Sequence, residues 1–168
     1  MSFTLYDASI PVFLRGFGQL SGILDKAVAH AEVKKIDPSV FINARLAPDM
    51  YTLAGQIQTA SDAAKFAGAR LAGVEAPSFS DDEKSFDELQ QRIAKTVAFL
   101  KGIDPSAIVG QEGREIVLKR QTGDIHLTGA TYLQGLALPN FYFHIVTAYD
   151  ILRHNGVEIG KSDYLGKP

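Results

Sequence analysis

The chain has no cysteine. Disulfides, thiolate zinc sites and cysteine nucleophiles are therefore excluded. The absence also fits a reducing, cytoplasmic compartment. Nor does either sign of charge dominate. Lys plus Arg total 17 and Asp plus Glu total 19, a formal charge of −2. No global field draws such a chain to nucleic acid or to anionic lipid. The basic runs Val33-Lys34-Lys35 and Leu118-Lys119-Arg120 are short and have no interleaved aromatics. No apolar run approaches the ~20 residues of a membrane span. The longest, residues 141–152, contains His144 and Asp150. The first seven residues show no basic segment followed by an apolar one, so no secretory signal is expected.

Glycine (15) and proline (7) follow no period, which excludes collagen-like and low-complexity chains. What is present is 46% apolar and 21% charged residues over 168 positions. That is the composition of one soluble globular domain, residues 1–168.

Helical periodicity dominates. Tyr6, Ile10, Phe13, Phe17, Leu20, Leu24 and Val28 recur at steps of three and four, a seam that packs in a bundle. Pro11 sits near the start and Asp37-Pro38 ends the segment. Pro48 and Asp49 are expected to open a second helix, with Met50, Leu53, Ala54, Ile57, Ala60, Ala64, Ala67 and Leu71 buried and Gly73 closing it. Ser80-Asp81-Asp82-Glu83 reads as a capping box for a third helix bearing Phe86, Leu89, Ile93, Val97 and Leu100, with Gly102 as its C′ residue. Residues 115–119 and 125–128 are β-prone and flank a turn, which predicts a hairpin. Pro139 primes a fourth, mostly buried helix that Asn155-Gly156 closes. The tail from Val157 to Pro168 is expected to wrap the surface. The predicted fold is all-α, a four-helix bundle with a β-hairpin inserted between helices three and four.

His144 is the most informative polar residue. It lies at the edge of the buried stripe of helix four, with Ala148 and Ile151. It is either a ligand or general base inside the bundle, or a core-edge imidazole satisfied by one hydrogen bond. Asp49 and Gln56 are seven apart and expected to eclipse each other beside the apolar face of helix two. Each faces a shared pocket, or else serves as a dipole charge and a surface amide respectively. Tyr6, Tyr142 and Tyr149 offer phenolic protons to a cavity or pack in the core. Asp62 and Lys65 read as a solvated pair. His30 and His154 suit helix C-termini, and His126 faces solvent. Metal spacing is poor. There is no His-x-x-x-His or Glu-x-x-His, and the weak metal candidates are His144 and Asp49. Phosphate-loop and nucleophile-elbow motifs are absent.

The motif Leu138-Pro139-Asn140-Phe141-Tyr142-Phe143-His144, followed by Thr147-Ala148-Tyr149, residues 151–156 and residues 160–165, resembles a bacterial domain-of-unknown-function family. That family is grouped with the DinB/YfiT-like metalloenzymes. Ala47-Pro48-Asp49-Met50 and Gln56-Ile57-Gln58 resemble it too, so the likeness covers nearly the whole chain. The resemblance implies a four-helix bundle, often dimeric. It also implies kinship with proteins that hold a divalent metal through three histidines and act as thiol-dependent transferases or isomerases. Two of those ligands form His-x-x-x-His on the last helix, and the third lies on helix two. Here Asn140 replaces the first histidine if His144 is the second, or Ala148 replaces the second if His144 is the first. Helix two has no histidine.

Three functions follow as expectations, in this order. The first is a bundle that binds a small ligand through His144, Asp49, Gln56 and Tyr149, with or without a divalent metal. The second is a non-catalytic homodimeric interaction protein. The third is a thiol-dependent transferase with a metal site rebuilt on Asp49 and His144.

Overall fold

The computed structural model describes residues 3–166. Met1, Ser2, Lys167 and Pro168, the last two part of the expected surface tail, lie outside the described residues. The described residues are mostly helical, with one two-stranded antiparallel sheet. Helix α1 spans Ile10–Lys34, α2 Pro38–Ile42, α3 Leu53–Ala72 and α4 Phe86–Lys101. Strands β1 (Glu115–Leu118) and β2 (Ile125–Thr128) follow, then α5 (Gly129–Tyr132), a π-helical turn (Leu133–Ala137), α6 (Leu138–His154) and α7 (Lys161–Leu165). Helix α3 packs on α4 and α6, and α1 packs on the same two from the other side. No helix among the described residues is long and apolar enough to cross a membrane.

The expected seam of α1 is buried from Ile10 through Leu24, and Ile23, Ala27 and Ala31 widen it. Its centre is an aromatic cluster. Phe141 of α6 meets the rings of Phe13 and Phe17 edge-on, at centroid distances of 5.0 and 5.2 Å. The close approach needs a glycine at position 16, where a Cβ would stand 2.6 Å from the Phe141 ring. Alanines and Gly68 on α3 leave similar room for its neighbours.

Two helix starts differ from the sequence reading. Pro48-Asp49 does not open α3. Ala47 to Met50 form a turn closed by the Met50 N–H on the Ala47 carbonyl at 3.0 Å, with Pro48 at its second position. Thr52 caps the helix instead, its hydroxyl accepting from the Gly55 N–H. Proline suits both roles, and the threonine cap decides. Likewise Ser80 and Glu83 make no capping box. Ser85 and Glu88 do, five residues later. The Glu83 carboxylate is taken up by Arg92 and by the Gln58 amide.

Pro139 sits in the first turn of α6, as expected, but the helix does not start afresh there. Helical structure runs continuously from Gly129, and the proline lies inside it. Proline has no N–H for the Gly135 carbonyl four residues back. The backbone answers with a wide turn just upstream, where the Leu138 N–H reaches the Leu133 carbonyl. The segment is also less buried than its composition suggests, since Phe143 and Val146 are exposed. Gly102 follows α4 as expected, but with a right-handed φ of −78°.

The hairpin forms as predicted, with Glu115 opposite Thr128 and Leu118 opposite Ile125. Ile116 and Leu118 pack inward, and His126 stays exposed, paired with Glu115 at 2.9 Å. Within the tail, Val157 and Ile159 are buried. Helix α7 is tied to α1 by Arg15 and Gln19, which donate to the Leu165 carbonyl, and by a Lys26–Asp163 ion pair.

The Asp62–Lys65 pair is not solvated. Lys65 is 2% exposed, and its ammonium lies over the rings of Phe66 and Phe79. Asp62 also accepts from Arg92, itself 1% exposed. The Arg92 guanidinium donates to Ser61 Oγ, the Ser80 carbonyl, Asp81, Glu83 and Asp62 at 2.7–3.2 Å. Ser61 passes the chain on to Thr96 at 2.7 Å, and Thr96 donates to the Arg92 carbonyl. This cluster pins the loop before α4 to α3.

Candidate functional site

The site lies where the turn at residues 47–50 and the start of α3 meet the middle of α6. A pocket of about 220 Å³ opens there, lined by Asp49, Met50, Tyr51, Gln56, Phe143 and His144. His144 faces inward because it follows the buried stripe of α6 and is 7% exposed. Gln56 sits one turn into α3 and is also buried.

The two are joined. His144 Nδ1 lies 2.7 Å from Gln56 Oε1. The Gln56 amide has only one sensible orientation, because its Nε2 donates to the Tyr51 carbonyl at 3.2 Å. The oxygen that faces His144 can only accept, so Nδ1 carries the proton and Nε2 carries a lone pair. Nε2 has no hydrogen-bond partner among the described residues and is not among their fully buried, unpaired polar atoms. Tyr51 and Phe143 flank the imidazole at 6.4 and 5.2 Å between ring centres. Both rings are more than half exposed, an uncommon state for large aromatics.

Burial pushes the His144 imidazole below its ordinary value of 6.5. The ring is therefore neutral near pH 7. The folded value lies below the unfolded one, so the unfolded chain takes up the extra proton first. The contribution of this group to stability is complete above about pH 6.5 and is lost as pH falls through the folded value. His144→Gln removes that dependence, so the gap between wild-type and variant urea midpoints should narrow on acidification. Imidazole ¹⁵N shifts should show a protonated Nδ1 and a bare Nε2 at pH 7. The reverse pattern would dismiss the Gln56 lock.

Of the residues singled out by sequence, the structure brings Asp49, Gln56 and His144 to one pocket and leaves Tyr149 out. Tyr149 lies round the helix from His144, with its ring edge-on to Tyr164 of α7 at 6.2 Å. Asp49 arrives from the turn and not from the helix, and so does Met50, which is only half-buried there because the helix begins at Leu53. Tyr51 and Phe143 were not singled out. The exposure of Phe143 had no local signal, because the fourth helix is apolar around most of its circumference and was expected to be mostly buried.

Residues 5–165 match the family described as Domain of unknown function (DUF1993). The chain belongs to this family. This DUF1993 chain is also similar to a DinB family member protein from Shewanella denitrificans, known from a crystal structure. The two are 44% identical with a TM-score of 0.93, over 98% of this chain and 93% of that one. The DUF1993 fold is accordingly DinB-like. No curated protein matches the chain.

The three-histidine metal set expected of the wider superfamily does not fit this DUF1993 chain. No group of three His, Cys, Asp or Glu side chains is close enough to hold an ion among the described residues. Ala148 is fully buried in the apolar core. Asn140 lines a different cleft from His144. No histidine occurs on α3.

Proposed function

We propose that this chain is a single-domain, DinB-like four-helix bundle of α1, α3, α4 and α6 that binds a small organic molecule beside His144. The ligand has an apolar or aromatic body and one hydrogen-bond donor. The observation that carries the reading is the His144–Gln56 hydrogen bond, which leaves the Nε2 lone pair for an incoming donor. Tyr51 and Phe143 supply apolar faces for the body. At about 220 Å³ the pocket suits a molecule smaller than most drug-sized ligands. A neutral imidazole fixed in one tautomer is also equipped to accept a proton from a bound acidic group, which is the first step of general-base chemistry.

Phenol and anisole separate the two parts of this reading, because only phenol can donate. In ligand-observed NMR titrations phenol should bind more tightly than anisole. His144→Ala should erase the difference, a loss of about 5- to 150-fold for phenol if the hydrogen bond contributes about 1–3 kcal/mol. Equal affinities in the wild type, or an unchanged preference in the variant, would defeat the proposal.

A further inference from the structure

A second cleft of about 280 Å³ lies further along α3, against the π-helical turn and the hairpin. Arg70 of α3 and Arg120 of the hairpin turn both line it, so elements far apart in sequence bring two guanidiniums to one mouth. Arg70 is already ordered. Its Nη1 donates to the hydroxyl of buried Tyr132 at 2.8 Å, and its guanidinium lies between the rings of Phe66 and Tyr132, 5.3 and 5.6 Å from their centres. A cation held this way loses little further freedom when it binds an anion.

Among the described residues, neither guanidinium has a counterion: no carboxylate lies within 4.0 Å of Arg70 or Arg120. Asp62, which also lines the cleft, is engaged from behind by Lys65 at 2.8 Å and Arg92 at 3.0 Å. The exposed Asn140 amide adds a neutral donor. The remaining wall is apolar, made by the half-exposed Phe66 ring with Leu136 and Ala137. A π-helical turn forms part of this wall, and such turns are frequent at functional sites.

We infer that this cleft binds the carboxylate or phosphate group of a small organic anion. Arg70 and Arg120 clamp the charged group, and Phe66 covers the apolar body. The guanidinium fork matches the oxygens of either group. The two sites have no lining residue in common, and the arginine end is remote from the His144 pocket: Arg70 lies 14 residues beyond Gln56, about 21 Å along the helix, whereas Thr59 and Asn140 at the other end come within about one turn of Gln56 and His144.

The test is calorimetric titration of the full chain with benzoate, phenyl phosphate and inorganic phosphate at constant ionic strength. One or both organic anions should bind saturably at one site. A benzoate-only response assigns a carboxylate ligand, and a phenyl phosphate-only response assigns a phosphate monoester. Arg70→Gln and Arg120→Gln should each weaken binding about tenfold or more, and the double variant should abolish it. Phe66→Ala should weaken the organic anions more than inorganic phosphate, because the ring both covers the apolar body and steadies Arg70, while His144→Ala should alter nothing. Arg120→Gln falls in an exposed turn, so its effect is read without concern for folding. Absence of saturable binding by both organic anions would overturn the inference. So would binding that survives the double variant, or inorganic phosphate binding as tightly as phenyl phosphate.

Discussion

Arg92→Ala should lower the free energy of unfolding by about 3–5 kcal/mol, read as a shift of the urea midpoint. The size follows from what the substitution leaves behind. Glu83 keeps its charge at a largely buried position without the cation that faced it, and Asp62 is left with Lys65 alone. Ser61 loses its donor, and the carbonyl of Ser80 loses its strongest partner. An uncompensated buried charge costs far more than a surface pair contributes. Arg92→Lys should recover only part of the loss, because one ammonium cannot serve acceptors on both sides of a planar fork. Asp81→Asn gives the contrast. That carboxylate is 59% exposed, so its removal should cost no more than about 1 kcal/mol. Similar losses for Arg92→Ala and Asp81→Asn would show that the cluster is not what holds the loop.

Phe141→Ala should be as damaging, at about 3–5 kcal/mol, because the ring fills the centre of the core and its neighbours cannot close the gap. The substitution has a paired test. Gly16→Ala places a methyl group against the Phe141 ring and should destabilise the wild type by about 1–3 kcal/mol through overpacking. In the Phe141→Ala background the space is open, and the same change should stabilise by up to about 1 kcal/mol, since alanine is the better helix former. The effect of Gly16→Ala should therefore change sign across a double-mutant cycle between positions 16 and 141. Additive effects would mean that the ring does not set the spacing of α1 and α6.

The α1 seam, the α3 and α4 faces and the hairpin were legible because each repeats a period that burial imposes over many residues. The helix starts were not, because they depend on competition between nearby signals. Pro48 and Thr52 each announce a helix, as do Ser80 and Ser85, and the winners are settled by contacts with Arg92 and by local turns. Asp62 and Lys65 were misread for a related reason. Their position on α3 is outward, but a loop whose path the helical period does not encode folds over Lys65. At the site, His144 stood out as a polar break in an apolar run. Its link to Gln56 spans 88 residues, and no local pattern records it. Tyr149 was grouped with the site by chemistry alone, and helical geometry takes it elsewhere.

The π-helical turn has one more implication. A wide turn holds an extra residue, and so it resets the angular phase of everything on its N-terminal side. Tyr132 and the hairpin behind it are aimed by that reset, whereas Phe141 and His144 are aimed by the core. Closing the wide turn to an ordinary α-helix without losing a residue would swing Tyr132 through about 100° and away from Arg70, whereas removing one residue from 133–137 as it closes would leave Tyr132 in place. The upper half of the molecule is thus clocked separately from the lower. The hairpin can be lengthened, trimmed or re-aimed over evolution while the pocket beside His144 keeps its geometry.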